Sequence, residues 1–374
     1  MRSCIGILVA LGALAAPAAA QSGAFVTTIG RDTLAVERYQ RSANRIDGEQ
    51  VIRAPRTQHR IYAVTLGANG AVQRFELTTH NLSGDGPAEQ KSSIQFQGDS
   101  AFVTLADGKI QRVAAPSGSA PFVLNVYGLV EYLAGRARAA GGDEYQTTGV
   151  SLNTNAPVAI VLKRVGQDSL TIMMGPVGPL RLRVDQTGQL LGVSGVGSTM
   201  QVSVERVASL DIAAMGPAFA NRPLGVLSPT DSVQATVGGA TLSVKYARPA
   251  VRGRVIFGGV VPWDQVWRTG ANAATIFTTS ADLVMGGTTI PAGSYSLWTI
   301  PSSAGWKLII NKNTGQWGTN YDAQHDLAKL DMQTAPLDTL VERFTIEIAP
   351  SGPSAGSIAL AWEKTRAWIA FAKQ

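Results

Sequence analysis

The run Trp267-Arg268-Thr269-Gly270-Ala271-Asn272 sets an indole, a guanidinium and an amide within one short segment. Arginine offers a planar fork of donors, and asparagine offers both a donor and an acceptor. Together they suit a carboxylate, a phosphate or the hydroxyls of a sugar. On a strand, Trp267 and Arg268 point to opposite faces, so a Trp267 facing the core sends Arg268 outward or into a cleft. Gly270 lets the backbone bend or approach a ligand. The competing reading pairs Arg268 with an internal carboxylate such as Asp326 and turns Asn272 onto local backbone, because buried charges are normally paired.

A second candidate is the polar stretch from Asn313 to Tyr321, which carries Trp317 and Tyr321 beside amides and Gly315. A loop tryptophan and tyrosine suit stacking on a sugar ring or another flat ligand, and they suit equally well the closing of one end of a sandwich. Trp298 and Trp306 lie in alternating patterns and are expected in the core.

Catalytic sets are weak. The three histidines, His59, His80 and His325, are split along the chain without metal-ligand spacing. Gly98-Asp99-Ser100 stands alone rather than in a nucleophile elbow, and Gly192 to Gly197 has the wrong spacing for a dinucleotide loop. An acid–base role for Asp326, His325 or Glu363 stays open, as does a carboxylate pair for glycoside hydrolysis, since distance in sequence says nothing of distance in space. No catalytic residue, metal ligand or cofactor is assigned.

These residues need elements to hold them. The 374 residues are 45% apolar and only 16% charged, which excludes disorder and coiled coil. Forty glycines and 18 prolines point to many short strands joined by turns. A net charge of +6 does not mark a nucleic-acid binder at this length. Arg2, the apolar run Ile5 to Ala16 and Ala18-Ala19-Ala20 form a signal-peptide pattern over 1–20, with cleavage expected before Gln21. The run is too short to span a bilayer, and no later stretch is long enough. The single cysteine, Cys4, would leave with it, so the mature chain has neither disulfides nor thiolate sites. The expected location is periplasmic or secreted.

All seven tryptophans fall in the last third, and Met215 to Thr230 is rich in Pro, Gly and Ala. A first domain is expected over 24–213, a linker over 214–230 and a second domain over 231–374. The first repeats alternating runs and Gly turns, as in Arg60 to Leu66, Ala68-Asn69-Gly70 and Val72 to Thr78. Helical spacing of Phe122, Val126, Leu129, Val130 and Leu133 predicts one helix over Pro121 to Ala139, stopped by Gly141-Gly142. A curved antiparallel sheet or open barrel with one helix follows, loosely similar in shape to exported lipoprotein-carrier-type half-barrels. The second domain reads as strands throughout, a β-sandwich or jelly roll, with Tyr321 to Leu330 the one place for a helical turn.

In that second domain, Tyr246-Ala247-Arg248-Pro249, Gly253 to Gly258 and Val266 to Asn272 follow in order. Ile290 to Pro301, Trp306, Asn311-Lys312, Gln316-Trp317-Gly318, Tyr321 and Asp326 come after them. This succession resembles the bacterial domain-of-unknown-function family numbered 2911 over about 240–370. The resemblance implies an exported β-rich domain and carries no activity with it. The first functional expectation is a non-catalytic module binding a polar small molecule or glycan through Arg268, Asn272, Trp317 and Tyr321. The alternatives are a hydrolase or isomerase, and an envelope scaffold holding a lipid or partner. Neither nucleic acid nor a membrane span is expected, and the oligomeric state is left open.

Overall fold

The computed structural model describes residues 21–175, 177–195 and 200–374. The segment read as a signal peptide, 1–20, lies outside the described residues, as does part of the run Gly192 to Gly197. The molecule is mainly β, in two sheets of 15 and nine strands. No helix among the described residues is long and apolar enough to cross a membrane.

The first sheet joins two meanders. One runs from Gln21–Ile29 to Ile110–Ala114 and the other from Glu144–Ser151 to Val202–Val207. The first and last strands pair antiparallel, Ala24 opposite Val207 and Ile29 opposite Val202, which makes one continuous curved surface. Helix α1 (Tyr127–Ala140) fills the hollow, burying Leu129, Val130 and Leu133 against Ile160, Leu162 and Leu182. The helix starts later than its apolar spacing predicts. Ala120–Phe122 is instead a short strand parallel to Gly149–Ser151, and Asn125 turns the chain with φ 64° before the helix begins. Gly141 ends it.

Curvature comes from small residues set against large ones. Tyr39 and Tyr62 stand on the inner face, and Gly23 and Gly48 lie beside them on neighbouring strands. A Cβ on either glycine would run into a tyrosine ring. The absent side chains let the rings lie flat across the bend.

A second helix, α2 (Ile212–Ala220), occupies the start of the segment read as a linker over 214–230. Asp211 caps it, accepting the Ala214 N–H at 3.0 Å. Ile212 and Phe219 pack on Val36 and Val51, the outer face of the first sheet. Only 221–229 remain as an irregular connector.

The second sheet runs from Thr230–Val237 through a long hairpin, Asp326–Pro350 and Ala355–Lys373. The first of these two strands pairs with Trp306–Asn311 over its N-terminal part. Further along it returns beside the chain at 249–251, where Val251 N–H donates to Glu342 O and Phe344 N–H to Pro249 O. The sheet thus folds over a core in which Trp267 stacks on Trp362 at 5.7 Å and meets Phe344 edge-on at 5.1 Å. Trp298 and Trp306 are both buried. Over Tyr321 to Leu330, where the sequence allows a helical turn or an irregular loop, the chain makes one 3-10 turn, Ala323–His325, after two irregular residues, and continues as strand from Asp326.

Candidate functional site

The two domains meet where the turn after Gln21–Ile29 touches the loop at 250–261. Arg31 N–H donates to Arg252 O at 2.9 Å, and the Arg252 guanidinium meets Asp32 Oδ2 at 2.5 Å. Gln201 Nε2 donates to Gly259 O at 3.0 Å, and Arg254 Nη1 to Met200 O at 3.1 Å. Gly30, at φ 58°, lies so close to the Arg252 carbonyl that any side chain there would overlap it.

Beside this contact lies a cavity of about 300 Å³, at the lower end of the range for small-molecule sites. The first domain contributes Ile29, Leu34, Ile52 and Ala54, and the turn before α1 contributes Asn125. The second contributes Val260, Val261, Trp267 and Trp362 together with Arg252, Arg254, Arg268 and Asn272. Three arginines and no carboxylate belong to the wall among the described residues. Burial pulls the Arg268 and Arg254 guanidinium pKa values below their ordinary range.

The backbone that presents these groups is unusual. Thr269 is fully buried at φ 53°, and Asn272 follows at φ 62°. A β-branched residue in the left-handed region is a steric outlier, whereas asparagine tolerates it. Thr275 Oγ1 donates to Thr269 O at 2.7 Å, and Trp267 Nε1 donates to Gly270 O at 3.1 Å, so the segment is locked from both sides. Arg252 also sits at a positive φ of 51°. Such conformations persist where surrounding structure fixes them, and they concentrate at ligand clamps.

The residues singled out in the sequence divide. Arg268 and Asn272 stand in the wall of the same cavity. Trp317 is half exposed on the neighbouring chain, which pairs with the site segment through its backbone: Ala274 N–H donates to Gln316 O and Gly318 N–H to Asn272 O. Trp317 and Tyr321 are not part of the cavity wall. Tyr321 packs on Trp298 at 5.1 Å and donates to Asp326 Oδ2 at 2.6 Å, and burial beside that carboxylate pushes its pKa up. The pairing of Arg268 with Asp326 does not form. Asp326 takes Asn311 at 2.8 Å, Lys329 at 3.2 Å and Tyr321 instead. His325 binds Asp322 at 3.0 Å on the surface.

The arginine stem fits only because position 318 is glycine, where a Cβ would overlap Arg268 Cδ. Sequence reading gave the space-making role to Gly270. A Cβ on Gly270 would instead approach the Ala247 carbonyl at 3.0 Å and Thr275 Oγ1 at 3.1 Å. It also missed the first domain's share of the wall, because nothing in the spacing of Ile29, Leu34 and Ile52 distinguishes a cavity wall from a core.

A larger groove, about 890 Å³, lies on the first sheet near 206–210. Its charges largely answer one another, Arg38 with Glu49 and Arg45 with Asp47 at 2.8 Å. Among the described residues no group of three or more His, Cys, Asp and Glu side chains is placed to hold a metal ion.

Residues 228–371 match the family model described as Protein of unknown function (DUF2911), which spans the second sheet. Half of the chain aligns with 95% of a DUF1089 family protein from Pseudomonas aeruginosa, at 10% identity and a TM-score of 0.33. Half also aligns with 95% of a beta-barrel-like protein of domain of unknown function DUF1849 from Brucella abortus, at 14% identity and a TM-score of 0.35. No curated protein matches the chain.

Proposed function

We propose that this protein is an exported, non-catalytic binding protein that holds a small molecule between its two domains. The observation that carries the reading is the presence of Arg268 and Asn272 in one cavity wall to which the first domain also contributes. The arginine supplies directed donors and the asparagine supplies orientation, while Trp267 and Trp362 give flat apolar surface. Trp317 and Tyr321 stand outside that wall, so they are not assigned to the ligand.

The acid–base alternative draws less support. Asp326 is engaged by three neighbours, and His325 is turned to Asp322 on the surface. A lipid carrier under α1 draws less still, because Tyr39, Tyr62, Phe25 and Tyr127 fill that space.

The test is thermal unfolding of the purified mature protein against a panel of small acids, sugars and phosphates, repeated with Arg268→Ala. A hit whose stabilisation disappears in the variant supports binding at this site. Hits indifferent to the variant remove Arg268 from the reading. Export is checked by mass spectrometry of protein from the periplasm, where an N-terminus at Gln21 is expected and an intact Met1 would overturn it.

A further inference from the structure

We infer that His59 and His80 form a two-imidazole site for a divalent cation of the first transition row, with Cu²⁺ preferred. The inference is independent of the cavity between the domains. The two histidines are well apart in sequence, and the fold sets them directly opposite one another on the adjacent strands Gln58–Leu66 and Val72–Asn81. Directly opposed residues hold their Cβ atoms about 4.5–5.5 Å apart, so the ladder fixes the spacing before any ligand arrives. The ring centroids lie 6.0 Å apart, with the planes tilted by 31°. Metal–nitrogen bonds of about 2.0–2.1 Å put a cation roughly 3.2 Å from each ring centre. The centroids of two rings on one ion are then about 4.5 Å apart at a right angle and about 6.4 Å apart in line. The observed separation falls within that span.

The surroundings orient both rings. His59 Nε2 lies 3.0 Å from Glu49 Oε2, and His80 Nδ1 lies 3.5 Å from Glu89 Oε2. Among the described residues no hydrogen bond reaches His59 Nδ1 or His80 Nε2. A ligating imidazole characteristically gives its other N–H to a carboxylate, which fixes the tautomer and leaves a lone pair on the opposite nitrogen. The carboxylates are themselves answered, Glu49 by Arg38 and Glu89 by Lys91 at 3.0 Å. They position the rings and leave the cation to the nitrogens. Val51, opposite His59, and Leu82, two residues beyond His80, pack with α2 on one side of the pair. Both histidines keep an exposed edge, so a hydrated ion reaches them. Two imidazoles with water completing the shell fall short of a closed structural site, so the ion exchanges. Nitrogen donors suit Cu²⁺, Ni²⁺ and Zn²⁺, with Cu²⁺ first in affinity, whereas Mg²⁺ stays with oxygen.

The experiment titrates the purified mature protein by calorimetry, in a non-coordinating buffer, with the chlorides of Cu²⁺, Ni²⁺, Zn²⁺ and Mg²⁺. One equivalent of Cu²⁺ is expected to bind, with Ni²⁺ and Zn²⁺ at least tenfold weaker and Mg²⁺ giving no heat. His59→Thr and His80→Thr, which suit a strand, should each weaken Cu²⁺ at least tenfold. Glu49→Gln should weaken it about tenfold through the ring it orients. His325→Thr, in the other domain, should leave it unchanged. Electron paramagnetic resonance of the bound Cu²⁺ should show coupling to two imidazole nitrogens. Binding that survives both substitutions places the ion elsewhere on the chain and overturns the site. Loss in only one of the two variants leaves a single imidazole and overturns the pair. Mg²⁺ binding as tightly as Cu²⁺ overturns the nitrogen donor set, and no binding of any of the four overturns the inference outright. Should a threonine variant fail to fold, the resonance spectrum of the wild type decides, two imidazole nitrogens supporting the pair and fewer overturning it.

Discussion

Glu37 accepts the backbone N–H of Tyr127 at 2.6 Å, so a strand residue caps a helix whose own preceding residue, Val126, has no side chain able to do so. The same carboxylate accepts the Gly128 N–H at 3.0 Å and the Tyr62 hydroxyl at 2.7 Å. It is buried beneath the first turn of α1, where the helix dipole favours negative charge. Desolvation outweighs these donors and raises its pKa from about 4.5 to about 7.

This gives a pH dependence with a definite sign. Between about 4.5 and 7 the folded chain holds a proton that the unfolded chain has released, so stability falls as pH rises through that window. The full change is on the order of 3 kcal/mol. Chemical denaturation of the wild type at pH 4.5 and pH 8 should show the loss, and Glu37→Gln should flatten it. Gln places an NH₂ group toward backbone donors, so the variant should also lose about 1–3 kcal/mol at low pH. A slope that survives in Glu37→Gln assigns the proton elsewhere.

Arg206 and Glu131, the latter on α1 itself, form a largely buried ion pair. Glu131 also accepts from the Tyr39 hydroxyl, from Gln21 Nε2 at 2.7 Å and from the Leu190 N–H at 2.9 Å. Arg206→Leu would leave that charge short of its cation and should cost about 3–5 kcal/mol. Arg183→Leu breaks an exposed pair with Glu205 at 2.9 Å and should cost less than about 1 kcal/mol. Equal losses in urea unfolding would show that burial does not set the value of these pairs.

Gly30 governs the docking of the domains. Its φ of 58° disfavours any side chain, and a Cβ would overlap the Arg252 carbonyl. Gly30→Ala should loosen the Arg31–Arg252 contact and open the cavity without unfolding either sheet. Limited proteolysis should then cut the connector at 221–229 faster, while far-ultraviolet circular dichroism stays unchanged. An unaltered cleavage rate would mean that the interface holds without this contact.

How much of this the chain displays in advance depends on range. Alternation and Gly turns are local, so the hairpins of the first sheet and the mainly β character are legible. The start of α1 is not, because its cap comes from Glu37, 90 residues earlier on a strand that shows no sign of it. Asp211 announces α2 as an N-cap, yet the Pro and Ala that follow look like linker, and only packing on Val36 and Val51 makes them helical. Arg268 and Asn272 stand out because their types and spacing are unusual. The cavity needs Ile29 and Leu34 from the other domain, and long-range placement of ordinary aliphatics leaves no local trace.

Gly318 and Arg268 meet through space rather than sequence. Gly318 has no unusual backbone angle, so alanine there is penalised by contact alone. Its Cβ would overlap Arg268 Cδ and come within 2.6 Å of the Asn272 carbonyl, the group that accepts the Gly318 N–H at 2.9 Å. Overpacking of this kind costs about 1–3 kcal/mol. Gly318→Ala should therefore lower stability and displace the arginine, weakening any Arg268-dependent ligand although no wall residue has changed. Combining it with Arg268→Ala removes the clashing stem and leaves only the carbonyl contact. The double variant should be more stable than the sum of the two single losses implies, by about 0.5–3 kcal/mol, the range for residues in direct contact. Strict additivity in denaturant unfolding would mean that the arginine stem does not rest on Gly318 in solution.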